Sequence, residues 1–143
     1  MGKKTKVVID TNIIVSAFGW GGKPADIIRL ITGGEILNFT SVEMLTELKE
    51  VVGYPKLAFS EALQAEITEI MFNASSIVNI HESLDIIDAD SSDNKVLECA
   101  ISANVEFIIS GDKHLLDLKN FRGIEIMTPE DFSRKRTSKH EDL

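Results

Sequence analysis

Two rhythms of apolar residues alternate along this chain: short solid runs that suit buried strands, and stripes at helical spacing that suit amphipathic helices. Val7-Val8-Ile9 forms the first run, and Asp10-Thr11-Asn12 follows with helix-start chemistry ahead of Ile13-Ile14-Val15. Gly19-Trp20-Gly21-Gly22 breaks that helix. Pro24 suits the first turn of a second helix through Ile27, Ile28, Leu30 and Ile31, which Gly33-Gly34 ends. Ile36-Leu37-Asn38-Phe39 is the second strand. Thr40-Ser41-Val42-Glu43 matches the capping-box pattern, so a third helix is expected to run to about Val52, where Tyr54-Pro55 stops it.

The second half repeats the alternation. Residues 61–72 carry a helical stripe, 76–80 read as a third strand, and 83–92 as a polar, acidic loop. A helix over 93–103, a fourth strand over 106–110, a short helix over 112–118 and a fifth strand over 124–126 follow. Thr128-Pro129-Glu130-Asp131-Phe132 is expected to start one last helical turn, and the polar stretch from Ser133 to form a mobile tail. The expected organisation is therefore one domain over residues 1–132 and a tail over 133–143.

Strands alternating with helices imply an α/β fold, with a mostly parallel five-stranded sheet between two helical layers. Ligands in such folds bind beyond the carboxyl ends of the strands. Asp10 directly follows the first strand and Asp112 lies two residues past the fourth, so both are expected at the same sheet edge. Helix phase adds two more acids. Met44, Leu45, Leu48, Val51 and Val52 form an apolar arc with Glu47 at its edge, while Glu43 and Glu50 point farther out. Asp93 falls within the stripe of Val96, Leu97, Ala100 and Ile101. The plain reading of Asp93 is a helix cap or dipole partner after Ser91-Ser92. Beside Asp10 and Asp112, however, like charges would force protonation unless a cation intervened.

Composition narrows the chemistry. The 143 residues, 43% of them hydrophobic, suffice for one sizeable core. No apolar run approaches a membrane span and no secretory leader precedes Val7, so a cytoplasmic protein is expected. The single Cys99, among Leu97, Ala100 and Ile101, suits a buried reduced thiol. A net charge of -8 argues against a protein that coats nucleic acid, but acids that hold cations fit a nuclease, with Lys56, Lys113, Lys119 and Arg122 as candidates for a basic rim. Carboxylates without a His or Cys cluster select hard ions, Mg²⁺ or Mn²⁺, over zinc. His81, His114 and His140 lack metal-ligand spacing, and no Ser/His/Asp set or phosphate-cradling glycine loop stands out.

The motifs Val7-Val8-Ile9-Asp10-Thr11-Asn12, Ser41 with Glu47, Asp93-Asn94-Lys95, and Ile108-Ile109-Ser110-Gly111-Asp112-Lys113-His114 resemble, in order, those of the PIN-domain family. The resemblance is closest to the VapC-like toxins of toxin-antitoxin pairs. It implies a single PIN-like domain and a metal-dependent ribonuclease in which Asp10, Glu47, Asp93 and Asp112 hold Mg²⁺ or Mn²⁺. Asn12 and Ser110 would support the site and Lys113 would meet the substrate. Asp90 remains an alternative to Asp93, which helix phase favours. The resemblance also implies an RNA substrate, a cognate antitoxin and a homodimer.

Two other readings are weighed. A phosphotransfer domain also places an Asp after a parallel strand, but a receiver wants an early acidic pair and a haloacid-dehalogenase-type phosphatase wants Asp-x-Asp, whereas Asp10-Thr11-Asn12 supplies one acid. A non-catalytic PIN-fold interaction module would keep the fold without needing all four acids.

Overall fold

The computed structural model describes residues 3–84 and 91–141, apart from the side chains of Ser91, Lys139, His140 and Glu141. Strand β1 (Thr5–Ile9) leads into helix α1 (Thr11–Trp20), and α2 (Gly22–Thr32) leads into β2 (Ile36–Thr40). Gly21 joins the two helices at φ 79°, a left-handed backbone that lets its amide bond the carbonyls of Ser16 and Ala17. Helix α3 (Val42–Val52) and a 3₁₀ turn (Pro55–Leu57) precede α4 (Glu61–Ala74) and β3 (Ser75–Ile77). Then come α5 (Ser91–Ala103), β4 (Phe107–Ile109), α6 (Lys113–Leu118), β5 (Asn120–Phe121), β6 (Ile124–Met127) and α7 (Pro129–Glu141).

The sheet runs β3-β2-β1-β4-β6-β5, parallel throughout except for the β5–β6 pair. From β1 the chain steps outward through β2 to β3, then returns to lay β4 on the other side of β1. The order therefore reverses between β1 and β4, which opens a crevice at their carboxyl ends. Strand side chains alternate between faces. Val7 and Ile9 join one core with Ile14, Ile27, Leu48, Ile67 and Phe132, while Val8 joins a second core with Val96, Leu97, Ala100 and Leu115. Helices cover both faces, giving the expected three layers. Asn38 is a buried polar exception: its Oδ1 accepts the Ile9 amide at 3.2 Å and its Nδ2 donates to Ser75 Oγ at 2.9 Å. It ties the end of β1, one residue before Asp10, to β2 and β3.

The expected elements differ most from the structure at four places. The sheet has six strands rather than five, because Asn120–Phe121 forms a two-residue edge strand too short to show as a pattern. The cap of α3 is Ser41, whose Oγ accepts the Met44 amide at 3.2 Å, so the capping register lies one residue later than expected and Glu43 is not the reciprocal partner. Strand β3 is shorter and one residue earlier than expected. Helix α7 continues to Glu141 instead of ending after one turn. Its polar sequence offers no apolar stripe past Phe132, but Arg134 bonds Asp131 at 2.5 Å and Lys135 pairs with Glu125 at 3.1 Å. Asp90 and most of the expected acidic loop lie outside the described residues. Among the described residues no helix is long and apolar enough to cross a membrane.

Candidate functional site

The crevice between β1 and β4 collects the acids. Ile9 pairs with Ile109 in parallel register, so the next residues, Asp10 and Ser110, leave the sheet side by side. The Asp10 amide bonds the Ile109 carbonyl at 3.0 Å. Asp10 holds the N-cap position of α1, with its side chain near the Asn12 amide but without closing a full capping hydrogen bond. Instead Ser110 Oγ, wholly buried, donates to Asp10 Oδ2 at 2.8 Å and accepts the Asp112 amide at 2.9 Å. One hydroxyl thus sets the carboxylate of β1 against the loop that carries Asp112.

Glu47 arrives from α3, the helix whose Met44, Leu48 and Val52 are buried in the core. Thr11 Oγ1 donates to Glu47 Oε2 at 2.9 Å and Ser92 Oγ donates to Glu47 Oε1. Glu47 is thereby fixed from two elements, while Glu43 and Glu50 stay exposed. Asp93, buried in the first turn of α5, follows Ser92. Asp112 caps α6 through Oδ1, which accepts the His114 amide at 2.8 Å and the Leu115 amide at 3.4 Å.

Asp10, Glu47, Asp93 and Asp112 line a single cleft of about 180 Å³, together with Thr11, Asn12, Val51, Tyr54 and Ser92. Among the described residues, no lysine or arginine is in that lining. Burial raises the pKa of Asp10 above the ordinary carboxylate value of 3.8; Ser110 and the Asn12 backbone pull it back down, and the charges of Asp112 and Glu47 add to the rise. The donor set is all hard oxygen, which fits a divalent ion. Among the described residues, no three Asp, Glu, His or Cys side chains are drawn together tightly enough to hold a metal as they stand. A larger groove of about 520 Å³, between α3 and α4 and lined by Lys49, Gln64, Thr68 and Phe72, lies apart from the acids.

The other candidates fall in different places. Asn12 is exposed at the cleft and touches Asp10 through its backbone. Lys113 is exposed beside Asp112 and stands 3.9 Å from Asp117. Arg122 is engaged with Glu82 at 3.0 Å, and Lys56 stands over the Tyr54 ring at 6.0 Å. His114 is exposed and joins the site through its amide alone, and the His140 side chain lies outside the described residues. Cys99 is buried, its thiol pushed up to about 12 by burial and then by Glu43. Three residues of the site carry no signal of their own in the sequence: Thr11, Ser92 and Tyr54. The hydroxyl of Thr11, one residue after Asp10, was the nearest available clue.

Fold and site together define an α/β domain with an acidic cleft at the switch point of a parallel sheet. Residues 6–114 match the PIN domain family, and the chain belongs to that family. PIN domains are generally nucleases and typically use divalent metal ions. The chain is 33% identical over 141 residues to the uncharacterized protein MJ1680 of Methanocaldococcus jannaschii, an alignment covering 90% of each. Its fold is similar to that of a chain in VapBC2 from Rickettsia felis, a complex crystallised with a DNA fragment from its promoter (TM-score 0.59, 14% identity, 85% of this chain and 97% of that one). It is also similar to PAE2754 from Pyrobaculum aerophilum (TM-score 0.61, 12% identity, 91% and 88% covered).

Proposed function

We propose that this protein is a metal-dependent ribonuclease that hydrolyses RNA phosphodiester bonds, acting as the toxin of a toxin-antitoxin pair. The observation that carries the chemistry is the cleft itself, with four carboxylates and no lysine or arginine among its described lining residues. Asp10, Asp93 and Asp112 would hold Mg²⁺ or Mn²⁺, and Glu47 would hold it or face the attacking water. Such an ion, when bound, supplies a water acidified toward neutral pH and charge stabilisation on the phosphate.

The chain's own residues do the rest. Ser110 fixes the Asp10 carboxylate. Thr11 and Ser92 hold the two oxygens of Glu47, setting the carboxylate that orients the water and takes its proton. Asn12 and Lys113, exposed at or beside the cleft, would meet the substrate. Attack by water forms the new P–O bond, and the departing ribose oxygen leaves with a proton from solvent.

Fold likeness to a chain of VapBC2 supports a small antitoxin as partner, and we propose a homodimer as well. An enzyme of RNA with a buried, reduced thiol suits the cytoplasm. Cleavage of RNA by purified wild-type protein and by the Asp10→Asn variant, with circular dichroism as the check on folding, tests the proposal. Loss of cleavage in a folded variant is expected; unchanged cleavage would overturn it.

A further inference from the structure

Tyr54 stands in the acidic cleft without a role in the chemistry described above. The residue is 45% exposed, although a tyrosine usually buries its apolar body. Its hydroxyl makes no hydrogen bond to a described residue, whereas its backbone is fixed: the amide bonds the Val51 carbonyl at 3.0 Å and the carbonyl accepts the Leu57 amide at 3.0 Å. Pro55 opens the 3₁₀ turn, and Leu57 and Phe59 pack into the core beyond it. Phe59 lies against Gly19 at the far end of α1, where an added Cβ would meet the ring at 3.3 Å. The strap that presents Tyr54 is thus held at both ends.

Lys56 completes the arrangement. Its ammonium stands 6.0 Å from the Tyr54 ring and is exposed, a cation next to the mouth of a cleft that itself contains none. An exposed ring carried on a fixed backbone beside a basic group is what an unpaired nucleobase and its flanking phosphate require, because every base presents a π-face and every linkage a negative charge. A paired base inside a duplex has both faces covered and cannot use the ring.

We infer that Tyr54 is the stacking platform that positions the unpaired base next to the cut phosphodiester, with Lys56 on the adjoining phosphate. This inference rests on the ribonuclease proposal, and its test separates the two. Steady-state cleavage of a single-stranded oligoribonucleotide gives kcat and KM for wild type, Tyr54→Ala and Tyr54→Phe. A 2-aminopurine placed in that oligonucleotide reports stacking by its fluorescence quench, measured in an Asp10→Asn background with each form of residue 54.

Tyr54→Ala is expected to raise KM about tenfold with kcat within about twofold, and to abolish the quench. Tyr54→Phe keeps the π-face and restores both. An unchanged KM and quench in Tyr54→Ala would overturn the inference, as would a Tyr54→Phe variant as defective as Tyr54→Ala. Absence of RNA cleavage by wild type with a quench that depends on Tyr54 would remove the ribonuclease reading and leave the stacking; absence of any quench would remove the stacking.

Discussion

The cleft turns on how a few side chains divide two tasks, holding the fold and holding charge. Asp112 caps α6 and also faces the cleft, whereas Asp10 sits at a cap position and spends its carboxylate on Ser110 instead. A carboxylate so buried is costly when ionised. Because folding raises the pKa of Asp10 above 3.8, this group favours the folded state fully below that value, and the advantage is lost as pH rises through the raised pKa. At neutral pH without divalent ions, Asp10→Asn is therefore expected to melt above wild type, a gap that closes in acid and on adding Mn²⁺ to wild type. Thermal unfolding from pH 3 to 8 with a chelator checks this, and a variant that melts lower at pH 7 contradicts it. Ser110→Ala removes a donor to Asp10 and an acceptor for the Asp112 amide. It is expected to cost about 1–3 kcal/mol in chemical denaturation, the penalty for buried polar groups left without a partner, and to lower cleavage. Asp10 and Glu47 were legible as candidates because each stands at the edge of an apolar pattern. Thr11 and Ser92 were not, since a hydroxyl that meets a glutamate 36 or 45 positions away follows from packing rather than spacing.

Elements were legible where a long apolar pattern set them and obscure where short or polar segments did. Helix α3 shows both. Its extent to Val52 followed from the arc of Met44, Leu48 and Val52, but the choice of Ser41 over Thr40 as cap depended on where β2 stops, which the ladder from β2 to β3 decides by pairing Thr40 with Ile77. Ser41→Ala is expected to cost about 1 kcal/mol by denaturant titration, with Thr40→Val costing less if the cap is Ser41 alone. Helix α7 escaped because its sequence after Phe132 is polar; what extends it is charge pairing on its surface, with Lys135 also 5.1 Å from the Phe107 ring. Phe132 itself is 1% exposed and packs edge-on against Phe107 at 5.6 Å. Phe132→Ala is expected to cost about 3–5 kcal/mol. A chain ended after Phe132 is expected to melt lower than the full chain, and an unchanged melting temperature would show that the helix beyond it adds nothing.

At the scale of the molecule, topology gathers the acids. Strand β1 lies in the middle of the sheet, and the reversal beside it puts the ends of β1 and β4 next to each other, with α3 and α5 bringing Glu47 and Asp93 to the same crevice. Alternation of strand and helix made that edge readable in advance, but the strand order itself depends on long-range pairings that no local pattern encodes. With a net charge of -8 and no broad basic surface among the described residues, the proposed RNA substrate would have to be drawn by a cation held in the cleft and by Lys56. Everything functional in the account therefore depends on the acids acting as one cation site. The most direct test strips the protein of metal with a chelator and titrates Mn²⁺ while following cleavage of a single-stranded RNA, with wild type and Asp10→Asn in parallel. The expected result is no cutting by stripped wild type, cutting restored as Mn²⁺ is added in excess of the chelator, and none by the folded variant at any Mn²⁺ concentration. Cutting that persists in excess chelator, or that Asp10→Asn matches, would contradict the account.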